Sequence, residues 1–260
     1  MPGRTCSRER GSWVPRSPPG HAGKVCHAAT ILGSFHRHMS ASFFPHLEIL
    51  PASQRRLWDQ LAGVPPEFVL YGGTAIALHL AHRRSVDFDF FGDRPFDPER
   101  LATTIPFVAR ATVTHQEPNT LTVRLRRGGA VKLSFFGLPR LPRLRPPHLA
   151  PDNGLKVASL LDLAGTKAAV IQRRAEAKDY LDIDAILRHG QIDLATALAA
   201  AQAIYGTRFN PEITLKALAY FGEATLRRLP RAVKDRLAKA AGAVDLDRLP
   251  TIPVPGRARR

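Results

Sequence analysis

Two aspartates separated by a single residue are the side chains of this sequence best suited to chemistry. Asp87 and Asp89 alternate with Val86, Phe88 and Phe90 in the segment VDFDFF. A β-strand has a period of two residues, so we predict that the hydrophobic residues anchor a strand in a core while both carboxylates project from its other face. Such a pair can hold Mg²⁺ (or Mn²⁺), because magnesium prefers a few carboxylates together with the phosphate oxygens of a substrate. The alternative is a surface strand whose carboxylates face bulk water.

A glycine pair upstream adds a second part to this candidate site. Gly72 and Gly73 follow the apolar segment 68–71 and precede the helix-like segment that begins at Thr74. Glycines lack a Cβ, so the backbone can approach a ligand closely, and the N-terminus of a helix favours phosphate. The order strand, Gly-Gly, helix, loop, strand with two aspartates therefore predicts a site for phosphoryl or nucleotidyl displacement.

The elements that must position these residues can be read from periodicity and turn residues. Strands are predicted at 68–71, 86–91, 120–127 and 130–136, the last two joined by a turn at Gly128-Gly129. Helices are predicted at 54–63, 74–81, 157–173, 178–188, 194–204, 212–226 and 231–241, with a proline-rich connector at 138–151. We therefore predict an α+β fold in which a mixed-sheet domain (39–150) precedes a helical bundle (151–250) and a basic tail (251–260), with the active site in the cleft between the two domains.

The first 38 residues have a different character. They contain six arginines and lysines against one acidic residue, are rich in proline, glycine and serine, and show no sustained period. We expect a disordered basic segment. A second hypothesis is that translation begins at Met39, which the intact mass of the native protein would decide.

Composition narrows the class of protein. Hydrophobic residues make up 44% and charged residues 23% of the chain, and no apolar run is long enough to span a membrane. The only cysteines, Cys6 and Cys26, lie in the first 38 residues, which excludes a disulfide framework or a thiolate zinc site in the core and fits a cytoplasmic protein.

The net charge of +16 makes a polyanionic partner plausible, either nucleic acid or a nucleoside triphosphate (NTP). Residues 118–151 contain no acidic side chain, which is consistent with contact to an RNA backbone. A solvated basic surface encoded by a GC-rich genome is the alternative.

The segments FVLYGGTAIAL and HRRSVDFDFF together resemble the AbiEii/AbiGii toxin family of nucleotidyltransferases, within the DNA polymerase β-like superfamily. The resemblance extends to VKLSFF, LLDLAGTKAAVI and KDYLDI and covers about residues 55–190. It implies a metal-dependent enzyme that moves a nucleoside monophosphate from an NTP to an acceptor. It also implies the toxin of a bacterial toxin–antitoxin or phage-defence pair, with a cognate antitoxin protein as partner. Some relatives modify the 3′ end of tRNA, so RNA is the expected acceptor.

The resemblance also assigns roles to residues. Asp87 and Asp89 would be the metal ligands; Gly72, Gly73 and Thr74 would form the turn beside the phosphates; and Lys167 would bind the triphosphate. Asp179 or Asp182, of which Asp182 is favoured, would orient or deprotonate the acceptor, and Arg83 and Ser85 would contribute from the H-R-x-S segment.

Structural explanations compete with these roles. Lys167 could extend to the surface of an apolar helix, the two later aspartates could compensate charge at a helix N-terminus, and Arg83 could belong to a basic loop that caps the sheet.

One position departs from the pattern of the superfamily. Ser134 stands where many members carry a third metal-binding carboxylate, which puts a second metal ion in doubt unless Asp182 replaces it. Two alternatives to RNA modification remain: nucleotidylation of a small molecule or a protein, and a non-catalytic RNA- or antitoxin-binding protein that has kept the fold.

Overall fold

The computed structural model describes residues 43–189 and 191–256. The predictions for residues 1–38 and for the last four residues of the basic tail lie outside these ranges. Within them the predicted α+β class is confirmed, because one mixed sheet is followed in the chain by a set of helices. The strands are β1 (Phe68–Tyr71), β2 (Asp87–Gly92), β3 (Thr112–Glu117), β4 (Thr120–Arg126), β5 (Ala130–Gly137), β6 (His148–Leu149) and β7 (Lys156–Val157). The helices are α1 (Ala52–Arg55), α2 (Gly72–Leu80), α3 (Pro98–Thr104), α4 (Leu160–Ile171), α5 (Ala177–His189), α6 (Leu194–Tyr205), α7 (Pro211–Ala219) and α8 (Arg231–Gly242).

The strands lie in the order β3-β4-β5-β2-β1-β7-β6. Strand β2 is central, parallel to β5 and antiparallel to β1. Strand β7 pairs in parallel with the other side of β1, where Leu70 lies beside Val157. Residues on both sides of position 150 therefore contribute to one sheet, and the division into domains at that position stays a prediction.

Strand β2 sets the direction of the two aspartates. Phe88 and Phe90 are completely buried, and the ring of Phe90 stacks on Phe135 of β5 with 5.0 Å between ring centroids. Asp87 and Asp89 alternate with these residues and are only partly buried. They therefore project from the face of the sheet opposite the aromatic core, as the period of two predicts. The same prediction is wrong for Val86, which lies before β2, is 62% exposed and lines the cleft.

Helices α4 and α6 pack closely because a glycine lies where they meet. A Cβ on Gly165 of α4 would come within 2.9 Å of the backbone of Ala200 and Ala201 in α6. Ser159 begins α4 by accepting a hydrogen bond from the amide of Asp162. The longest helix in the described ranges, α5, has 13 residues, and none of these helices is long and apolar enough to cross a membrane.

Several element boundaries differ from the prediction. The helix predicted at 54–63 is a short α1 followed by a 3-10 helix at Trp58–Gly63. The side-chain amide of Asn153 donates to the carbonyl of Trp58, which a continuing α-helix would use itself. The helix predicted at 157–173 starts at Leu160 because Val157 belongs to β7.

Other differences lie where the hydrophobic pattern is weak. The helix predicted at 212–226 ends at Ala219 and is followed by a separate 3-10 turn at Ala224–Leu226. The connector predicted at 138–151 contains the two-residue strand β6. Strand β3 was not predicted, because all six of its residues are exposed and it carries no alternation of apolar and polar side chains.

Candidate active site

The face of β2 that carries the aspartates forms one wall of a cleft of about 330 Å³. The other walls come from the N-terminus of α2, the loop between α2 and β2, and helices α4 and α5. Eight of the ten residues predicted from the sequence line this cleft: Gly72, Gly73, Arg83, Ser85, Asp87, Asp89, Lys167 and Asp179. The other two, Thr74 and Asp182, do not line it.

Asp87 and Asp89 face the cleft with open oxygens. Among the described residues no hydrogen-bond donor reaches either carboxylate, and the one ion pair is a loose contact of 3.9 Å between Lys132 Nζ and Asp87 Oδ2. Burial and the negative charge of Asp87 raise the pKa of the Asp89 carboxyl. Two like charges with unpaired oxygens are a donor set that fits a hard divalent cation whose shell is completed by phosphate oxygens.

A neighbouring side chain leaves no room for a Cβ at either Gly72 or Gly73. Gly72 has a φ of +72°, and a Cβ there would lie 2.7 Å from Asp89 Oδ2. A Cβ on Gly73 would lie 2.5 Å from Arg83 Nη2. The hydroxyl of Thr74 is buried and donates to the backbone carbonyl of Asp87. Thr74 therefore fixes the start of α2 to the start of β2, and its side chain is not part of the cleft surface.

Lys167 is held between two carboxylates. Its side chain is only 7% exposed, and its Nζ lies 2.9 Å from Asp179 Oδ1 and 2.8 Å from Asp182 Oδ2. An ammonium group has three N–H bonds, so one remains for a ligand in the cleft. Arg174 binds Asp179 from the other side, with 2.8 Å from Nε to Oδ2 and 3.2 Å from Nη2 to Oδ1. Lys167 therefore does not extend to the helix surface.

Asp182 is completely buried, and its oxygens are occupied by cationic or imidazole groups. His82 Nε2 lies 2.7 Å from Oδ1, while Arg83 donates from Nε to Oδ1 at 2.6 Å and from Nη2 to Oδ2 at 2.9 Å. Burial alone would raise its pKa, but the hydrogen bond from His82, the charge of Lys167 and the bonds from Arg83 together hold the pKa of this carboxyl well below its usual range. Such a carboxylate is a weak base with no oxygen left for a metal, so its geometry suits positioning of Lys167 and Arg83.

Ser134, which stands in place of a third carboxylate, lies on β5 directly beside Asp89. In the parallel register of β2 and β5 it is the partner of Asp89, and it is 2% exposed. Its hydroxyl has a long contact of 3.5 Å with the hydroxyl of Thr122. Within the part of the chain that the structure describes, no cluster of three acidic, histidine or cysteine residues could hold a metal ion. The two aspartates of β2 are therefore the carboxylates on which a metal at this site would depend.

The cleft also contains residues that sequence reasoning did not identify. Arg174 and Lys178 add positive charge, and Phe136 and Tyr205 add aromatic surface. In all, five cationic side chains and three carboxylates line the cleft, a balance that suits a polyanionic ligand. Arg174 lies just before α5 and Lys178 is the second residue of that helix, in a charged run that resembles an ordinary solvated helix start. Only their position in the wall of the cleft distinguishes them.

Comparison with known proteins identifies the family to which this chain belongs. Residues 56–252 match the family model described as nucleotidyl transferase AbiEii toxin, type IV toxin–antitoxin system. An uncharacterized protein of Aquifex aeolicus (strain VF5) is 33% identical over 179 residues, which is 67% of this chain and 84% of that protein. The structure of MenT4, a nucleotidyltransferase toxin from Mycobacterium tuberculosis H37Rv, shares the fold with a TM-score of 0.52 and 17% identity, over 75% of this chain and 83% of that one. The family match spans most of the chain and includes every residue of the cleft, and the chain therefore belongs to the AbiEii family of nucleotidyltransferase toxins.

Proposed function

We propose that this enzyme transfers a nucleoside monophosphate from an NTP, with Mg²⁺ or Mn²⁺, to a hydroxyl of RNA, and that the 3′ end of tRNA is its target. We further propose that this reaction makes it the toxin of a bacterial toxin–antitoxin or phage-defence pair that acts in the cytoplasm. The observation that carries the proposal is the cleft itself. Asp87 and Asp89, with unpaired carboxylate oxygens, share it with Lys167 and with the N-terminus of α2.

Each part of the cleft has a task in this reaction. Asp87 and Asp89 would hold the divalent cation, which when bound would offset the negative charge of the triphosphate and of the five-coordinate transition state. The amide groups at the start of α2 and the remaining N–H of Lys167 would bind phosphate oxygens. The acceptor hydroxyl gives up its proton to solvent while its oxygen forms a bond to the α-phosphorus. The bond from that phosphorus to the oxygen bridging to the β-phosphate breaks, and pyrophosphate leaves.

The two aspartates of α5 have different tasks. Asp179 faces the cleft and keeps Lys167 and Arg174 oriented towards it. Asp182 lies behind Lys167 and supports it together with Arg83. Both carboxylates are 0% exposed and have both oxygens engaged by cations. We therefore assign each a positioning role, Asp179 for Lys167 and Arg174 and Asp182 for Lys167 and Arg83.

An RNA acceptor is favoured by charge. The cleft carries more cationic than acidic side chains, and the chain as a whole has a net charge of +16. Within the acid-free segment 118–151, Lys132 lies near Asp87 and Arg140 lines a neighbouring cavity. No described feature favours a small molecule or a protein as the acceptor.

Labelling of nucleic acid tests the proposal. The purified enzyme is incubated with Mg²⁺, total bacterial RNA and each of the four NTPs labelled on the α-phosphate. We expect label in the tRNA fraction, and we expect Asp87→Asn/Asp89→Asn to lower the rate by at least about 100-fold, as for removal of a main electrostatic contact. The matched control is Asp59→Asn/Asp235→Asn, which removes two exposed carboxylates away from the cleft.

The outcomes separate the alternatives. Label in protein or in small molecules, with the RNA unlabelled, would contradict the RNA acceptor while keeping the chemistry. Equal labelling by the Asp87/Asp89 variant and the control would contradict the mechanism. If calorimetry detects no binding of NTP with Mg²⁺, the chain is a non-catalytic member of its family.

A further inference from the structure

Two further cavities adjoin the catalytic cleft at Tyr205, the last residue of α6. One, of about 660 Å³, is lined by Arg140, Arg208 and the segment 254–256, and the other, of about 150 Å³, by Arg173 and Arg208. Tyr205 lines both of them and also the cleft that holds the aspartates. The two arginine-lined cavities therefore lie next to the catalytic cleft, with Tyr205 as the residue that all three share.

The charged side chains that line these two cavities are all positive. None of the described residues that line the two cavities is acidic. Arg140, Arg173 and Arg208 are exposed, and among the described residues no carboxylate lies within 4.0 Å of them, whereas Arg143 and Arg174 nearby are paired with aspartates. Unpaired guanidinium groups on a concave surface are suited to phosphate, which they can bind through two parallel hydrogen bonds.

Tyr205 supplies the second element of nucleic-acid recognition. Its side chain lines the same cavity as Arg173 and Arg208. Burial raises the pKa of its hydroxyl, and the positive charges of these two arginines oppose this. An aromatic ring beside arginines can stack with a nucleic-acid base whatever its identity. A base must be unpaired to do so, because a paired base is already stacked within its helix.

We propose that this groove, formed by Arg140, Arg173, Tyr205 and Arg208, binds the single-stranded 3′ segment of the acceptor, with Tyr205 against a base and the arginines on phosphates. The proposal rests on the proposed function, since the groove is the route by which a terminal hydroxyl reaches the cleft. It names single-stranded ends of RNA as the substrate class.

Binding of a labelled oligonucleotide tests the groove without requiring catalysis. Fluorescence anisotropy is measured with a single-stranded RNA of roughly 12 nucleotides, which is within the usual range of site sizes, in the absence of NTP and between about 50 and about 200 mM salt. The groove variant is Arg140→Gln/Arg173→Gln/Arg208→Gln, and the control with equal charge loss is Arg100→Gln/Arg110→Gln/Arg228→Gln, at exposed positions outside the groove and outside segment 118–151.

Each phosphate contact contributes about 0.7 to the slope of log K against log salt for a single strand, so the groove variant should lower the slope by about 2. The control variant should keep the wild-type slope. Tyr205→Leu should weaken binding by about 5- to 150-fold, as loss of one stacking contact does, and Tyr205→Phe should retain it. Should the triple variant not fold, Arg208→Gln compared with Arg110→Gln should still show a difference in slope of about 0.7.

Three results would overturn the groove. The first is an equal loss of RNA affinity in the groove and control variants. The second is a blunt RNA duplex that binds as tightly as the single strand and is as sensitive to the groove variant. The third is an acidic peptide of the same charge that binds as tightly as the single strand. Failure of the proposed function is distinguishable from all three. A wild-type enzyme that binds RNA through the groove but never labels it contradicts the reaction, and one that labels RNA with the groove variant unimpaired contradicts the groove alone.

Discussion

Replacing Gly72 with alanine tests whether the glycine turn and the aspartates form one site. At a φ of +72° an alanine costs about 1–2 kcal/mol. Its Cβ would also lie 2.7 Å from Asp89 Oδ2, whereas ordinary contact begins near 3.4 Å, so this carboxylate must move by roughly 0.7 Å. Because a displacement approaching 1 Å at a reacting centre costs on the order of 100-fold, we expect a loss of that order in kcat/KM for nucleotidyl transfer.

Gly154 provides a control with the same backbone conformation. It has a φ of +70°, and a Cβ there would meet no atom within 4 Å. Gly154→Ala therefore carries the backbone cost without the contact to Asp89. In urea denaturation both variants should lose about 1–2 kcal/mol, but only Gly72→Ala should lose transfer of label from an α-labelled NTP and affinity for Mn²⁺ in calorimetry.

The reasoning is refuted if Gly72→Ala and Gly154→Ala transfer label at the same rate. That result would mean that Asp89 can move without consequence, and hence that its carboxylate does not take part in the reaction. A loss of stability much larger in Gly72→Ala than in the control, with kcat unchanged, would show that the turn serves folding alone.

Three further sets of substitutions separate packing, charge and protonation. Gly165→Ala should lower the free energy of unfolding by about 1–2 kcal/mol, because overpacking against the α6 backbone at 2.9 Å outweighs the better helix propensity of alanine. Gly242 has open space around it, so Gly242→Ala should not lower the free energy of unfolding. Asp182→Asn should lower the free energy of unfolding by about 3–5 kcal/mol, because it leaves buried cations uncompensated. Asp89→Asn removes one of two like charges and should leave the free energy of unfolding unchanged or raise it. Equal losses of stability for the two variants in urea denaturation would contradict this contrast. Burial lowers the pKa of His79 from 6.5 to about 4, so the unfolded state binds more protons between these values. The free energy of unfolding should therefore fall by about 1–2 kcal/mol from pH 6.5 to pH 5. His79→Gln should remove this dependence, and a stability curve unchanged by that substitution would show that another group is responsible.

The parts of the site that depend on local pattern could be predicted from the sequence. The alternation around Asp87 and Asp89 determines which face of β2 they occupy, and two successive glycines before a helix indicate a close backbone approach. In both cases the signal lies within a few residues, so no knowledge of tertiary contacts is needed. Lys167 required the family resemblance, because a lysine in an apolar helix has an ordinary explanation.

The parts that depend on distant contacts could not be predicted. Asp179 and Asp182 are three residues apart and look equivalent in sequence, yet the first lines the cleft and the second is enclosed by His82 and Arg83. Nothing in the sequence around Tyr205 predicts a functional role, since an aromatic residue at the end of an apolar helix usually belongs to the core. Its importance arises only from the three cavities that meet there.

The contact between the loop before β2 and helix α5 joins residues that are about 100 positions apart in the chain, with His82 and Arg83 on one side and Asp182 on the other. During synthesis the ribosome therefore releases both aspartates of β2 long before the residues that hold Lys167 exist. A nascent or truncated polypeptide that ends before α5 has the proposed cation ligands but lacks the carboxylates that position Lys167, the proposed contact to the triphosphate. A host that makes this protein is accordingly exposed to its activity only once translation has passed α5, and prematurely terminated products should be harmless to it.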